Sequence, residues 1–432
     1  MAAPPFLSEA SATLCVVLIL LVPLAGVGLA LVNTGLARSR SAAHVMLASL
    51  CVFAVAAIIY VMFGFSWQGA PGRPAHILTI GGKAWNWIAA EPIFLRGLRL
   101  DLSPVSLVLL LQMFSVGLAA MIPLGAGAER WRLGALSAST ILLAGWTYPL
   151  FAHWALSGGW LSQLGSIYGL GQGFVDGGAG TIQVMGGLSA LSIAWILGPR
   201  RGKYSSNREP AAIPAHNIVL VLIGCLLAWV GWLGLNSASA ILFNRSQPLA
   251  VVLISVNTTL SAAAAGLAAA MVTRSRFGRP DASLVANGWM AGLVASSAAA
   301  PFLKPPAAVL TGLVAGALVV FAIDLLEFRM TIDDPGGAIS VHAIAGLWGL
   351  LSVALLSDAG SGYSGQWLAQ LIGIATLLGL IFPLTHGLNW LIDRVYPHRV
   401  DAEGEWQGMD IHELGASAYP EFVVHSDEFT QH

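Results

Sequence analysis

Apolar runs long enough to cross a bilayer recur from one end of this sequence to the other. Ala12 to Val32, Val105 to Leu124 and Ala307 to Ile323 are examples. Each lies within the roughly 17–25 residues that a helix needs to span the hydrocarbon core. No water satisfies the backbone there, so only helices and closed barrels are viable. Barrel strands would alternate apolar with polar residues, and these runs are continuous. Of the 432 residues, 56% are hydrophobic and only 9% charged, too few charges to cover a soluble chain of this size. The sequence therefore predicts an all-α polytopic membrane protein embedded in a lipid bilayer. A formal net charge of -1 gives no electrostatic footprint for nucleic acid. Cys15, Cys51 and Cys225 lie in apolar segments without metal-ligand spacing and read as packing residues. No basic segment precedes the first run, so no cleaved signal peptide is expected.

Eleven spans are expected, at about 10–33, 43–66, 104–126, 134–155, 178–198, 216–238, 249–272, 283–300, 306–326, 338–357 and 366–392. Basic residues orient them. One set of loops, with the tail, holds Arg38, Arg40, Arg130, Arg132, Arg200, Arg201, Lys203, Arg208, Arg274, Arg276, Arg279, Arg329, Arg394 and Arg399. The other holds Arg73, Lys83, Arg96, Arg99, Arg245 and Lys304. The richer set belongs in the cytoplasm, which puts the N-terminus outside and the C-terminus inside. The stretch from Trp67 to Ser103 is a long outside loop rich in Gly, Pro and Trp, with Trp85 and Trp87 as expected interface anchors. Residues 1–399 form the transmembrane domain in this reading. Residues 400–432 turn polar and acidic and form a cytoplasmic tail.

Two stretches repeat one pattern. "DGGAGTIQVMGGLSAL" starts at Asp176 and "DPGGAISVHAIAGLWGL" at Asp334. Each opens with an aspartate and a Gly-rich turn. Gln183 then occupies in span 5 the place that His342 occupies in span 10, and Gly187-Leu188 matches Gly346-Leu347. Five spans separate the copies, so they cross in opposite directions. Inverted repeats place paired residues on a pseudo-two-fold axis near the midplane. Polar side chains there are costly unless they face each other or a pore, and Gly186 and Gly187 permit close approach. Gln183 and His342 are thus expected to face one another across a conduit. The alternative is two independent polar residues, each bonded to a neighbouring helix.

Several further stretches, in order, resemble the ammonium transporter family (Amt/Mep/Rh). They are "GAGAER" at 125–130, "ILGPRRGKY" at 196–204, "GWLGLNSASA" at 231–240, "AGLVASS" at 291–297, "DDPGGAISVHAIAGLWG" at 333–349 and "GMDIHELGASAYP" at 408–420. The resemblance implies eleven helices with an inverted five-plus-five repeat, a homotrimer with one pore per subunit, and ammonium or ammonia as the conducted species. It places the protein in the inner (plasma) membrane as an agent of nitrogen uptake; with no nucleophile–base or metal constellation in the sequence, neither an enzyme nor a cofactor is expected. His342 matches the second of the two family pore histidines. The first falls on Gln183 if one residue is missing after Thr181, or on Val184 by ungapped counting, so on either alignment it is absent.

Stripping water from ammonium is costly, and the family offsets this with aromatic faces and a serine. Cation–π contact contributes about 0.5–2 kcal/mol. Ser239 matches the family serine. The vestibule tryptophan falls on Leu156, with Trp154 two residues earlier, and the gating phenylalanine on Ser115, with Phe114 adjacent. A further pore phenylalanine falls on Leu235. Trp232 matches a family tryptophan whose likelier role is packing. Asp176 matches a family aspartate that mainly orders the start of span 5, in keeping with a carboxylate at a helix N-terminus; the alternative is direct contact with the cation. His153 and His386 read as satisfied structural residues.

A His–His pair can pass a proton because each ring donates and accepts. A Gln–His pair still lines a pore with hydrogen bonds, but the amide does not titrate. The sequence therefore leaves three functions open: an ammonium or ammonia channel or transporter, a transport-inactive ammonium sensor with the same fold, and a pore for another small neutral solute. The tail resemblance implies docking on the inner face of the pore and a PII-type signalling protein as partner. Accessibility labelling tests the orientation: reagents confined to the outside are expected to leave the Arg200–Arg208 loop unmodified, and modification there refutes the topology.

Overall fold

The computed structural model describes residues 7–244, 246–357 and 365–420. Arg245 of the basic-poor loop set, and residues 421–432 of the expected tail, lie outside them. Among the described residues, ten helices are long and apolar enough to cross a membrane: α1 Glu9–Leu36, α2 Ser39–Gln68, α3 Pro104–Gly127, α4 Leu133–Ala155, α5 Ala179–Leu197, α6 Ile218–Phe243, α7 Ala250–Phe277, α9 Pro305–Arg329, α10 Ile339–Leu356 and α11 Gln366–Val395. The eleventh is α8, Ala282–Ala299, at whose polar positions Asn287, Ser296 and Ser297 are buried among its neighbours. The chain is a helical membrane protein of eleven spans in an inverted five-plus-five arrangement.

Local chemistry sets where these helices start and bend. Ser8, Ser103, Asn217 and Asp281 cap α1, α3, α6 and α8, each accepting a backbone N–H three residues on. Pro23 divides α1 into Glu9–Leu21 and Pro23–Leu36 because its ring cannot continue the hydrogen-bond ladder. Helices α2, α4, α5, α9, α10 and α11 each contain one wider π-turn, a feature that often marks functional positions.

The loop between α2 and α3 carries regular structure of its own. It folds into an antiparallel hairpin, β1 Ala75–Ile80 and β2 Lys83–Ala89. Gly81 and Gly82 turn it, both at positive φ, which is what a two-residue hairpin turn requires. Trp85 and Trp87 share one face of β2 and pack on Trp160, with centroids 5.8 and 6.4 Å away. This stack seals the end of α4, so both indoles bind protein. The hairpin and the N-terminus lie on one face of the bundle, here the hairpin face. The C-terminal segment crosses the other, the tail face.

A buried ion network knits the tail face together. Arg200 forks onto Asp333, Nε to Oδ2 at 2.8 Å and Nη2 to Oδ1 at 3.0 Å, and its Nη1 donates to Glu129 at 2.5 Å. Glu129 also pairs with Arg38. Arg130, fully buried, donates to the carbonyls of Gly198, Ala128 and Asp333. Burial alone would raise the Asp333 carboxyl, but Arg130 and Arg200 outweigh it and hold the group well below its ordinary 3.8. Asp334 next door, buried with weaker compensation, is pushed up to about 6.

The C-terminal segment is tied into this network. Arg399 donates to the carbonyls of Leu197 and Pro199 and to Glu405, which also accepts from the Arg201 amide. After the short helix α12, Ala402–Gln407, two carboxylates cap membrane helices. Asp410 accepts from the amides of Ala43 and His44 in the first turns of α2. Glu413 accepts from the amide of Leu133, the first residue of α4.

Removing one partner from a buried network strands the rest. Asp333→Ala is expected to destabilise the protein by about 3–5 kcal/mol. Asp324→Ala removes the partly exposed ion pair with Arg276 and should cost at most about 1 kcal/mol. Thermal unfolding in detergent measures both, and equal effects would contradict the network. Because the folded-state value of Asp333 is depressed, its contribution is present above its ordinary 3.8 and is lost only as pH falls through the lower folded value.

Candidate pore site

Helices α5 and α10 both begin inside the protein, and both beginnings are built the same way. The Asp176 carboxylate accepts from the amides of Gly178, Gly180 and Thr181 at 2.9, 2.9 and 3.0 Å, and from the Thr181 hydroxyl at 2.7 Å. Asp334 accepts from the amides of Ala338 and Ile339 at 3.0 and 2.7 Å. Free N–H groups at a helix start need such acceptors wherever water is excluded. Each cap leads directly into a π-turn, Ala179–Val184 in α5 and Ile339–Ile344 in α10. Gln183 and His342 sit on these two turns.

Their side chains meet: His342 Nδ1 lies 2.7 Å from Gln183 Oε1. Both residues are buried, at 0% and 2% exposure. The backbones are close enough that a Cβ on Gly187 would lie 2.2 Å from the Ala343 nitrogen, so only glycine fits there. Val184 packs its Cγ2 against the Gly346 position, beside the polar pair and not within it.

The amide is placed with its carbonyl toward the ring, so His342 Nδ1–H is the donor and Nε2 keeps a free lone pair. The Gln183 amide nitrogen is buried and has no partner. The pair therefore offers one acceptor, His342 Nε2, and one set of donors, Gln183 N–H. A small molecule that both donates and accepts hydrogen bonds fits that arrangement.

Toward the hairpin face, α6 carries Leu235 and Ser239. Leu235 is fully buried, Ser239 follows one turn later at 3% exposure, and Leu242 and Phe243 come one turn after that. These last two line a cavity of about 470 Å³, with Pro71, Pro104, Val105, Val108, Leu156 and Ser162 among its other walls. Toward the tail face, a cavity of about 140 Å³ is bounded by Asn287, Asp333, Asp334, Ser340, Arg200 and Lys203. Ser340, two residues before His342, is fully buried with an unpartnered hydroxyl.

The remaining residues singled out by the sequence are held elsewhere. Trp232 is fully buried and donates to the Ser297 hydroxyl at 3.2 Å. Trp154 donates to the Trp87 carbonyl at 2.7 Å and belongs to the tryptophan stack under the hairpin. Phe114 stacks on Phe53 of α2, centroids 6.2 Å apart, while neighbouring Ser115 is fully buried. His153 bridges the Gln68 carbonyl and Asn86.

One contributor went unread in the sequence. Gln370 of α11 grips Val175, accepting from its amide at 2.9 Å and donating to its carbonyl at 3.0 Å. This clamp fixes the residue before Asp176. Its signal was Gln366 and Gln370 at i, i+4 in an otherwise apolar helix, joined at 3.1 Å.

Comparison with known proteins places this geometry. The sequence profile of the Ammonium Transporter Family matches residues 12–419. The ammonium transporter Amt2 of Archaeoglobus fulgidus is 34% identical, with 93% of this chain and 86% of the relative covered. The ammonium transporter of Bacillus subtilis is 30% identical, with 93% and 96% covered. A solved structure titled Sensor Amt Protein superposes with a TM-score of 0.83 at 28% identity, covering 93% of this chain and 97% of its own. Candida albicans Mep2 shares the fold, with a TM-score of 0.79 at 24% identity and coverage of 96% and 91%. The chain belongs to the ammonium transporter family.

Proposed function

We propose that this protein conducts ammonium nitrogen across the inner (plasma) membrane through one narrow pore per subunit, centred on Gln183 and His342. The observation that carries this reading is their direct contact at 2.7 Å on matching π-turns of inverted helices. Gln183 stands in for the first pore histidine of the family. Ammonia has three N–H donors and one lone pair, so it can donate to His342 Nε2 and accept from the Gln183 amide. Ammonium has no lone pair and cannot accept, and a glutamine cannot hold and pass a proton as a histidine can. Ser239 accepts an N–H on the way in, below a vestibule whose described walls are uncharged. Leu235 keeps the next turn apolar, and Asp176, already holding four hydrogen bonds, orders the helix start and leaves the cation alone. Trp232, Trp154 and Phe114 support the walls without touching the substrate.

The basic residues favour an external N-terminus, a cytoplasmic tail face and a C-terminal regulatory segment from residue 400. Kinship favours a homotrimer. Because Asp410 and Glu413 cap α2 and α4, a partner that lifts the tail would uncover both helix starts, which suits a PII-type protein at that face. Pull-down from full-length protein is expected to show nucleotide-dependent PII association, and no association removes this partner.

A second reading, a transport-inactive ammonium sensor, draws on the superposition with the protein titled Sensor Amt Protein. Reconstituted liposomes with an ammonium gradient separate the two. Gln183→His is expected to raise ammonium-dependent current several-fold. His342→Ala should lower flux about tenfold, the equivalent of losing roughly 1.4 kcal/mol in the pore. If neither substitution changes flux while ammonium still binds, the sensor reading stands in place of the transporter.

A further inference from the structure

A second polar locus lies away from the pore, between α3, α4, α5 and α11. It is a small cavity, with about 10 Å³ open to the centre of a water molecule, which is room for about one water. Thr147 of α4, Ser189 of α5 and Thr385 of α11 line it. They are 0%, 4% and 3% exposed, and none of their hydroxyls has a hydrogen-bond partner. Other hydroxyls in the membrane helices turn back to the carbonyl four residues earlier, as Thr140 does to Leu136, Thr311 to Ala307 and Thr376 to Ile372. Thr147, Ser189 and Thr385 forgo that bond. Burying a hydroxyl without a partner is unfavourable, and here three from three helices share one void.

We propose that this cavity binds one ordered water, which bridges the hydroxyls of Thr147, Ser189 and Thr385 and ties α4, α5 and α11 together beside the pore. A water donates twice and accepts twice, and each hydroxyl can do either, so three partners are satisfied at once. The water also continues a polar chain from the tail face. The Ser139 hydroxyl donates to Asn389 Oδ1 at 2.6 Å and faces His398 Nε2 at 3.0 Å. Asn389 Nδ2 donates to the Thr385 carbonyl at 2.9 Å. His398 precedes Arg399, whose guanidinium anchors the tail segment. With the water in place, polar contacts run from that anchor to Ser189, six residues beyond Gln183 on the same helix.

Isosteric substitution tests the occupant by the sign of its effect. In the full-length protein, Thr385→Val and Thr147→Val are each expected to lower the unfolding temperature, because the water and the remaining hydroxyls lose a partner. The double variant should lose less than the sum of the two, since both changes strip one shared ligand. A dry cavity gives the opposite result: each variant removes an unpartnered hydroxyl and leaves the unfolding temperature unchanged or raised. That outcome overturns the proposal. A density map of the wild-type protein that resolves ordered solvent supplies the second readout. A peak within hydrogen-bond distance of all three hydroxyls is expected, and an empty cavity in such a map refutes the site.

Discussion

A helix that starts inside a membrane protein exposes four N–H groups where no water can reach them, and this constraint organises the molecule. Both α5 and α10 start that way. Asp176 absorbs three amides and a hydroxyl, and Asp334 absorbs two amides. Only with those donors satisfied can the two helices bring their first turns against each other. The contact between Gln183 and His342 depends on that arrangement, since each residue sits within one or two turns of its cap. Gly187 then sets the separation of the two helices by admitting the Ala343 backbone.

The two repeats share this plan yet finish differently. On the hairpin face lies a mostly apolar cavity walled by Leu156, Phe243 and prolines. On the tail face lies a polar cavity bounded by Asn287, Ser340 and the Asp333–Arg200 pair. The tail side is also where charge is buried. Arg130, Arg200, Glu129 and Asp333 are each at most 4% exposed, which is tolerable only because each is paired or multiply hydrogen-bonded. This cluster joins the ends of α3 and α5 to the start of α10, and Arg399 and Glu405 attach the C-terminal segment to it. Events at the tail are therefore mechanically adjacent to the cap of a pore helix.

Much of this was legible in the sequence. Continuous apolar runs could only be membrane helices, and their boundaries agree with the structure to within a few residues for most spans. The α8 segment was legible by position and length despite its polar residues. The repeat suggested pairing Asp176 with Asp334 and Gln183 with His342, because an inverted repeat converts matching sequence positions into facing ones, but the one-residue difference in spacing left Val184 open beside Gln183. The hairpin was less legible. Its Gly81-Gly82 signal was present, but lay inside a loop dominated by tryptophans that suggested lipid anchoring. The role of Gln370 was illegible for a different reason. A buried amide in an apolar helix announces that it needs partners, but not which backbone will supply them.

By itself, the sequence determined the number of spans, their alternating direction, the sites where polar groups enter the membrane, and the excess of positive charge on one side. These are one-dimensional properties, governed by hydrocarbon thickness and by the penalty for burying a dipole or a charge. Only the tertiary structure decided which of two adjacent residues, Gln183 or Val184, meets His342, because that depends on the rotation of a π-turn about its axis. It alone decided that Trp154 packs on Trp87 and Trp160 and Phe114 on Phe53, since a residue's direction follows from the helices crossing beside it. And it alone brought Thr147, Ser189 and Thr385 to one cavity. Their separation in sequence carries no record of a shared void, which exists only where packed helices leave a space of molecular size.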